Sequence, residues 1–238
     1  MPLTLQSALS ISLPYAGFCF ALHALFTGIF SNRITSFSKS NKASFYNRCV
    51  STVHALIMFS LALYYWLFIN PTVVIVPMTD YESGCLLLME GYLLYDTIFE
   101  LSTGGRNIMT IGHHVMGFLS HSSSLISYNG AAGFYSMIIF LAEGSTPLLN
   151  ASWLLQKLNM LDTSLFQLCA IGLLGSFFVL RVLLSPYMVI HMFLYQTSWG
   201  ENTFQLFWFN FVIVFSFMLL NYFWFYKLVS LAFKKTKK

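Results

Sequence analysis

Seven stretches of about twenty mostly apolar residues divide this chain, each as long as a helix must be to cross the hydrocarbon of a bilayer. They cover 8–31, 46–69, 84–102, 107–127, 131–149, 164–195 and 203–231. A segment in hydrocarbon must satisfy its own backbone N–H and C=O groups, which a helix does internally and an open strand does not. Charged residues make up 8% of the chain, against about 25% in soluble domains. A soluble core is therefore excluded, and the sequence predicts an all-α, polytopic integral membrane helical bundle of about seven transmembrane helices. The first stretch lacks a preceding positive region and exceeds the apolar length of a secretory signal, so it reads as a retained span. Pro186 inside the sixth predicts a kink near Ser185. Trp66, Trp153 and Trp199 fall near predicted span ends, as interfacial aromatics do.

Charge placement orients the bundle. With seven spans, eleven of the 12 basic residues fall on one side, among them Arg33, Lys39, Lys42, Arg48, Arg106, Lys157 and the C-terminal lysines. The other side holds Asp80, Glu82 and Glu201 but no lysine or arginine. The positive-inside rule then places the C-terminus in the cytoplasm or an equivalent inner compartment. The terminal lysines read as an inside anchor, with attraction to anionic lipid as the alternative. Four scattered cysteines form neither a disulfide framework nor a zinc pattern. No phosphate loop, nucleophile elbow or nucleic-acid surface is present, and no metal site or cofactor is expected.

Ionisable groups at membrane depth are costly and need partners or a task. His54, Asp96, the adjacent pair His113 and His114, and Glu143 each fall about 9–12 Å from the same predicted membrane face at 1.5 Å per helical residue. Four helices would thus present one polar layer lining an intramembrane cavity. Asn47, Ser51 and His54 form a stripe on span two, and His113, Gly117 and His121 share a face of span four. Arg181 lies in the outer half of a straight sixth span and reaches a carboxylate only if that helix starts deep or kinks. For His23 and His191 an interhelical hydrogen bond is the expected role.

These residues make the chain resemble the TLC-domain family, which includes ceramide synthases, translocation-associated membrane proteins and smaller TLC-domain-containing proteins, the last being most similar. The resemblance rests on N-R-C-V-S-T-V-H-A at 47–55, G-Y-L-L-Y-D at 91–96, G-H-H-V at 112–115 and L-A-E-G-S-T-P at 141–147. Trp153, Arg181 and Pro186 follow in register. It divides the chain into a first helix with a basic loop (1–44), a TLC-like transmembrane domain (45–231) and a basic tail (232–238). The resemblance implies a bundle around a cavity that holds an acyl chain, lined by His54, Asp96, His113, His114, Glu143 and Arg181. In ceramide synthases the histidine pair and a downstream His-Asp pattern support acyl transfer from a coenzyme A thioester to an amine. Here Ala142 and Glu143 stand where the His-Asp pair is expected, and the second acidic partner is missing.

The expected function is therefore binding of membrane lipids or acyl chains, without catalysis, in membrane lipid homeostasis. The endoplasmic reticulum is the expected membrane, with the mitochondrial or plasma membrane as alternatives. One alternative function is an acyl-CoA-dependent N-acyltransferase in which His113 or His114 is base or acyl acceptor and Glu143 orients it. Another is a structural subunit of a larger membrane complex. A di-metal oxygenase would need more clustered histidines than this chain has.

Overall fold

The computed structural model describes residues 5–69, 78–103, 108–127, 130–196 and 204–235. Arg106, Glu201, Lys237 and Lys238, used above to orient the chain, lie outside the described residues, as does Trp199. Among the described residues, nine α-helices join into seven rods. They are α1 (Leu5–Phe30), α2 (Lys39–Tyr64), α3 (Asp80–Ser102), α4 (Ile108–Ser127), α5 (Gly130–Leu141), α6 (Thr146–Lys157), α7 (Ser164–Phe177), α8 (Leu184–Leu194) and α9 (Phe204–Lys235). α5 and α6 are one rod joined by a 3₁₀ turn over Ala142–Ser145. α7 and α8 are another, joined by a π turn over Phe178–Leu183.

Local chemistry explains where the rods depart from the sequence expectations. α2 begins at Lys39 rather than residue 46 because the Ser38 hydroxyl accepts the Asn41 N–H at 3.2 Å, capping a start within the polar segment. α3 begins at Asp80 because Thr79 and Glu82 form a reciprocal capping box. Glu82, expected in a loop, is buried and also accepts the Tyr65 hydroxyl at 2.7 Å. The fifth rod continues to Lys157 instead of ending at residue 149. Pro147 has no N–H to donate, and it sits in the first turn of α6, where none is required. Pro186 acts upstream of the expected kink: the sixth rod widens over Phe178–Leu183, ahead of the position where its missing donor would break the ladder. After Lys157 the chain turns through Asn159 at φ 57°, a left-handed conformation that asparagine tolerates.

Five rods are long and apolar enough to cross a membrane: Leu9–Phe30, Lys39–Ile69, Ala132–Lys157, Ser164–Leu194 and Phe204–Leu231. α3 and α4 are more polar and pack within the bundle. α3 carries Asp80, Glu82, Glu90, Asp96 and Glu100, and α4 carries three histidines and five serines. The distribution inverts that of a soluble protein, with buried His54, Glu90, Asp96, His114, Arg181 and Asn210 inside and exposed Leu168, Ile171, Ile190 and Phe204 outside.

Two apolar clusters hold the rods. One joins α2, α3 and α5 through Val50, Met58, Leu86, Tyr95, Met137 and Phe140. The other joins α5, α8 and α9 through Phe134, Ile138, Met188, Met192, Phe207 and Val214. α1 packs directly on α3 at Gly91, where any Cβ would collide with the Ser12 carbonyl oxygen. Trp66 does not behave as an interfacial residue: it packs on Phe134 and donates toward the Met137 carbonyl at 3.4 Å. Trp153 lies at the α1–α2 and α6 ends of the rods, under the Arg48 guanidinium at 4.7 Å and beside Phe37.

Candidate functional site

The rods from α2 onward enclose a pocket of about 240 Å³. Its floor is buried and largely apolar, formed by Met89, Leu93, Ile138, Phe140 and Met188 together with His121. Its neck is half-buried and polar, with Ser51, His113, Glu143, Thr146, Asn221 and Trp224. His113, Thr146 and Trp224 lie nearer the end of their rods that carries the α1–α2 connection and Lys157, and Glu143 lies at mid-rod. The pocket therefore grades from a buried, mostly apolar part to a half-buried, polar one.

Asp96 and His114 form the tightest ionisable contact on this wall, with His114 Nε2 3.2 Å from Asp96 Oδ2. A chain of side chains from three other positions fixes that carboxylate. Asn47 Nδ2 donates to Asp96 Oδ1 at 2.8 Å, and the Tyr95 hydroxyl donates to Asn47 Oδ1 at 2.9 Å. Tyr95 has then used its proton, so His23 Nδ1 donates to its oxygen at 2.8 Å. The relay His23–Tyr95–Asn47–Asp96–His114 crosses α1, α3, α2 and α4. With Nε2–H directed at the carboxylate, Nδ1 of His114 is the acceptor, 3.5 Å from the Thr97 hydroxyl.

Arg181 anchors the second pair. It sits in the π turn, where its Nε donates to Ser145 Oγ at 2.9 Å and its Nη2 to Thr146 Oγ1 at 3.2 Å. Nη2 also lies 3.7 Å from Glu143 Oε1, while Thr146 donates to Glu143 Oε2 at 2.9 Å. The pairing needs no deep start of the sixth rod. Because the fifth rod extends to Lys157, Glu143 lies deeper than expected and meets Arg181 near mid-rod.

Of the six lining residues expected from the sequence, Asp96, His113, His114, Glu143 and Arg181 are on the pocket wall. His54 is not. Its ring stacks on Tyr92 at 3.8 Å and 8°, its Nδ1 meets the Tyr15 hydroxyl at 3.1 Å, and it is 2% exposed. Tyr92 occupies the wall in its place, since the aromatic ring fills the space between α2 and the pocket. The single polar layer is also replaced by two separate pairs. Asp96, not Glu143, orients the histidine, because Glu143 is committed to Arg181 and Thr146.

His113 forms no hydrogen bond among the described residues; its ring meets Phe217 and Trp224 of α9 edge-on at 4.9 and 5.4 Å. His121, four residues past Gly117 on the same face, likewise has Nδ1 buried without a partner. His191 meets Tyr135 at 2.9 Å, an interhelical bond like that of His23. Ser51, Tyr92, His121, Thr146 and Asn221 were not among the expected lining residues. An asparagine within the apolar α9 was the available signal for Asn221. Among the described residues, no group of three or more His, Cys, Asp or Glu side chains is placed to hold a metal ion.

A partly polar pocket inside apolar rods is compatible with many membrane functions, and sequence comparison narrows them to a family. No curated protein matches the chain. A family model described as the TLC domain matches residues 44–230, which include every pocket residue named above. The chain is thus a multi-pass integral membrane protein that belongs to the TLC-domain family.

Proposed function

We propose that this protein binds a membrane lipid or acyl chain in the pocket and acts, without catalysis, in membrane lipid homeostasis. The observation that carries the reading is the pocket's division into an apolar floor and a polar neck. An apolar tail gains by leaving water or headgroups for the floor, while a head group finds hydrogen-bonding partners in the neck. Both carboxylates are already engaged, Asp96 by His114 and Asn47, Glu143 by Arg181 and Thr146. The proposed membrane is that of the endoplasmic reticulum, with the C-terminus on the inner side. Arg33, Lys39, Lys42, Lys157 and Lys227 near one end of the rods support that orientation. Mass spectrometry of lipids retained by the purified protein tests the reading. A defined lipid that is lost in His114→Ala is expected; a pocket that retains none overturns it.

One observation favours acyl transfer from a coenzyme A thioester as a second reading. Asp96 orients His114 at the pocket wall, as a carboxylate orients a catalytic imidazole. Incubation with acyl coenzyme A and long-chain amines decides: an N-acyl product that disappears in both His114→Ala and Asp96→Asn would establish it.

A further inference from the structure

The pocket floor contains one polar side chain that the reading above does not use. His121 is 4% exposed, lines the pocket, and makes no hydrogen bond to any described residue. Its ring meets the edge of Phe140 at 5.5 Å, and the other floor residues near it are aliphatic or sulfur-containing. A buried polar group left without a partner is destabilising, and natural structures seldom keep one without a use.

Its position along α4 is informative. His113, Gly117 and His121 occupy one face at intervals of four residues, so the two imidazoles stand two turns, or about 12 Å, apart along the helix. Gly117 lies between them and also lines the pocket. A Cβ there would come within 3.3 Å of Leu93 Cδ1, so α4 approaches α3 with no side chain separating the two imidazoles. A chain lying along this strip from the neck would pass His113 first and reach His121 well down its length.

Size limits what enters. The pocket's volume is about 240 Å³. That suits part of one chain and a small head, not two chains. An imidazole bearing one N–H both donates and accepts, so a hydroxyl, keto or epoxide oxygen would satisfy it without bringing charge to the floor.

We propose that the ligand is a single-chain lipid oxygenated along its chain, and that His121 is the residue that selects this oxygen. The proposal rests on the lipid-binding reading. An unmodified chain would fill the floor but leave His121 unpaired; an oxygenated one fills it and pairs the ring.

The test uses the full-length protein in nanodiscs and two monoacylglycerols offered together. One carries a plain octadecanoyl chain and the other the same chain with a hydroxyl near its middle, and retained ligand is counted by native mass spectrometry. The wild type is expected to retain the hydroxylated probe about tenfold over the plain one, the effect of one buried hydrogen bond. His121→Phe should bring that ratio near one while still retaining ligand. His121→Gln, which keeps a donor and an acceptor, should preserve part of the preference and serves if the phenylalanine variant fails to fold. His113→Ala should weaken both probes alike and leave the ratio unchanged. Equal retention of the two probes by the wild type overturns the role of His121 alone. Retention of neither overturns the lipid-binding reading and this proposal with it.

Discussion

Arg181 and Glu143 meet at 3.7 Å where two distorted helical segments pack on each other, the π turn over Phe178–Leu183 and the 3₁₀ turn over Ala142–Ser145. One segment is wider than an α-helix and the other tighter, so each departs from the regular ladder where a polar side chain must reach across. Ser145 and Thr146, at the end of the tight turn, accept from the guanidinium. Gly144 makes the approach possible, because a Cβ there would press on Phe59 and Leu180. Irregular helical turns of this kind concentrate at functional sites.

Breaking this pair from one side should cost more than removing it entirely. Glu143→Leu leaves a buried arginine without its carboxylate and is expected to lose about 3 kcal/mol. The double variant Glu143→Leu with Arg181→Met should recover most of that loss. Thermal unfolding in detergent measures both, and a double variant less stable than Glu143→Leu would refute the argument.

Asp96 and His114 are coupled through a contact rather than by common depth. In a double-mutant cycle with Asp96→Asn and His114→Gln, the coupling should be about 1–2 kcal/mol. Tyr95→Phe removes the hydroxyl that fixes Asn47 and should weaken that coupling without abolishing it. Independent, additive losses would show that the relay does not hold the carboxylate.

The crossing of α1 on α3 depends on Gly91. Gly91→Ala puts a methyl group against the Ser12 carbonyl and should destabilise the bundle by about 1–3 kcal/mol. Gly84, on the same helix with open space beside it, should accept alanine with little change in unfolding temperature. Equal responses at the two positions would contradict the close approach.

His54 is a packing residue behind Tyr92, whereas His113 is in the neck. His54→Phe should therefore leave the retained lipid unchanged, and His113→Ala should deplete it severalfold. Comparison of the lipids co-purifying with each variant checks the contrast. Loss of ligand in His54→Phe at unchanged stability would return that histidine to the site.

What was legible in the sequence is what single segments decide. Apolar runs of bilayer length impose helices, because each helix satisfies its own backbone. Ionisable residues within them, such as Asp96, His114 and Glu143, had to turn inward, because lipid offers them no partner. Their partners were not legible. Asp96 selects His114, Glu143 selects Arg181, and His54 withdraws behind Tyr92 only once rods distant in sequence are set in register. That register turns on where each rod begins and how it is wound: the Ser38 and Thr79 caps, the continuation of the fifth rod to Lys157, and the two irregular turns. Depth counted from apolar boundaries misplaces Glu143, since the helix runs on through polar residues that hydropathy assigns to a loop. The amino-acid pattern thus determined a membrane bundle with a polar interior, and the tertiary structure alone decided which polar groups neutralise each other and which, like His113 and His121, are left without a hydrogen-bond partner among the described residues.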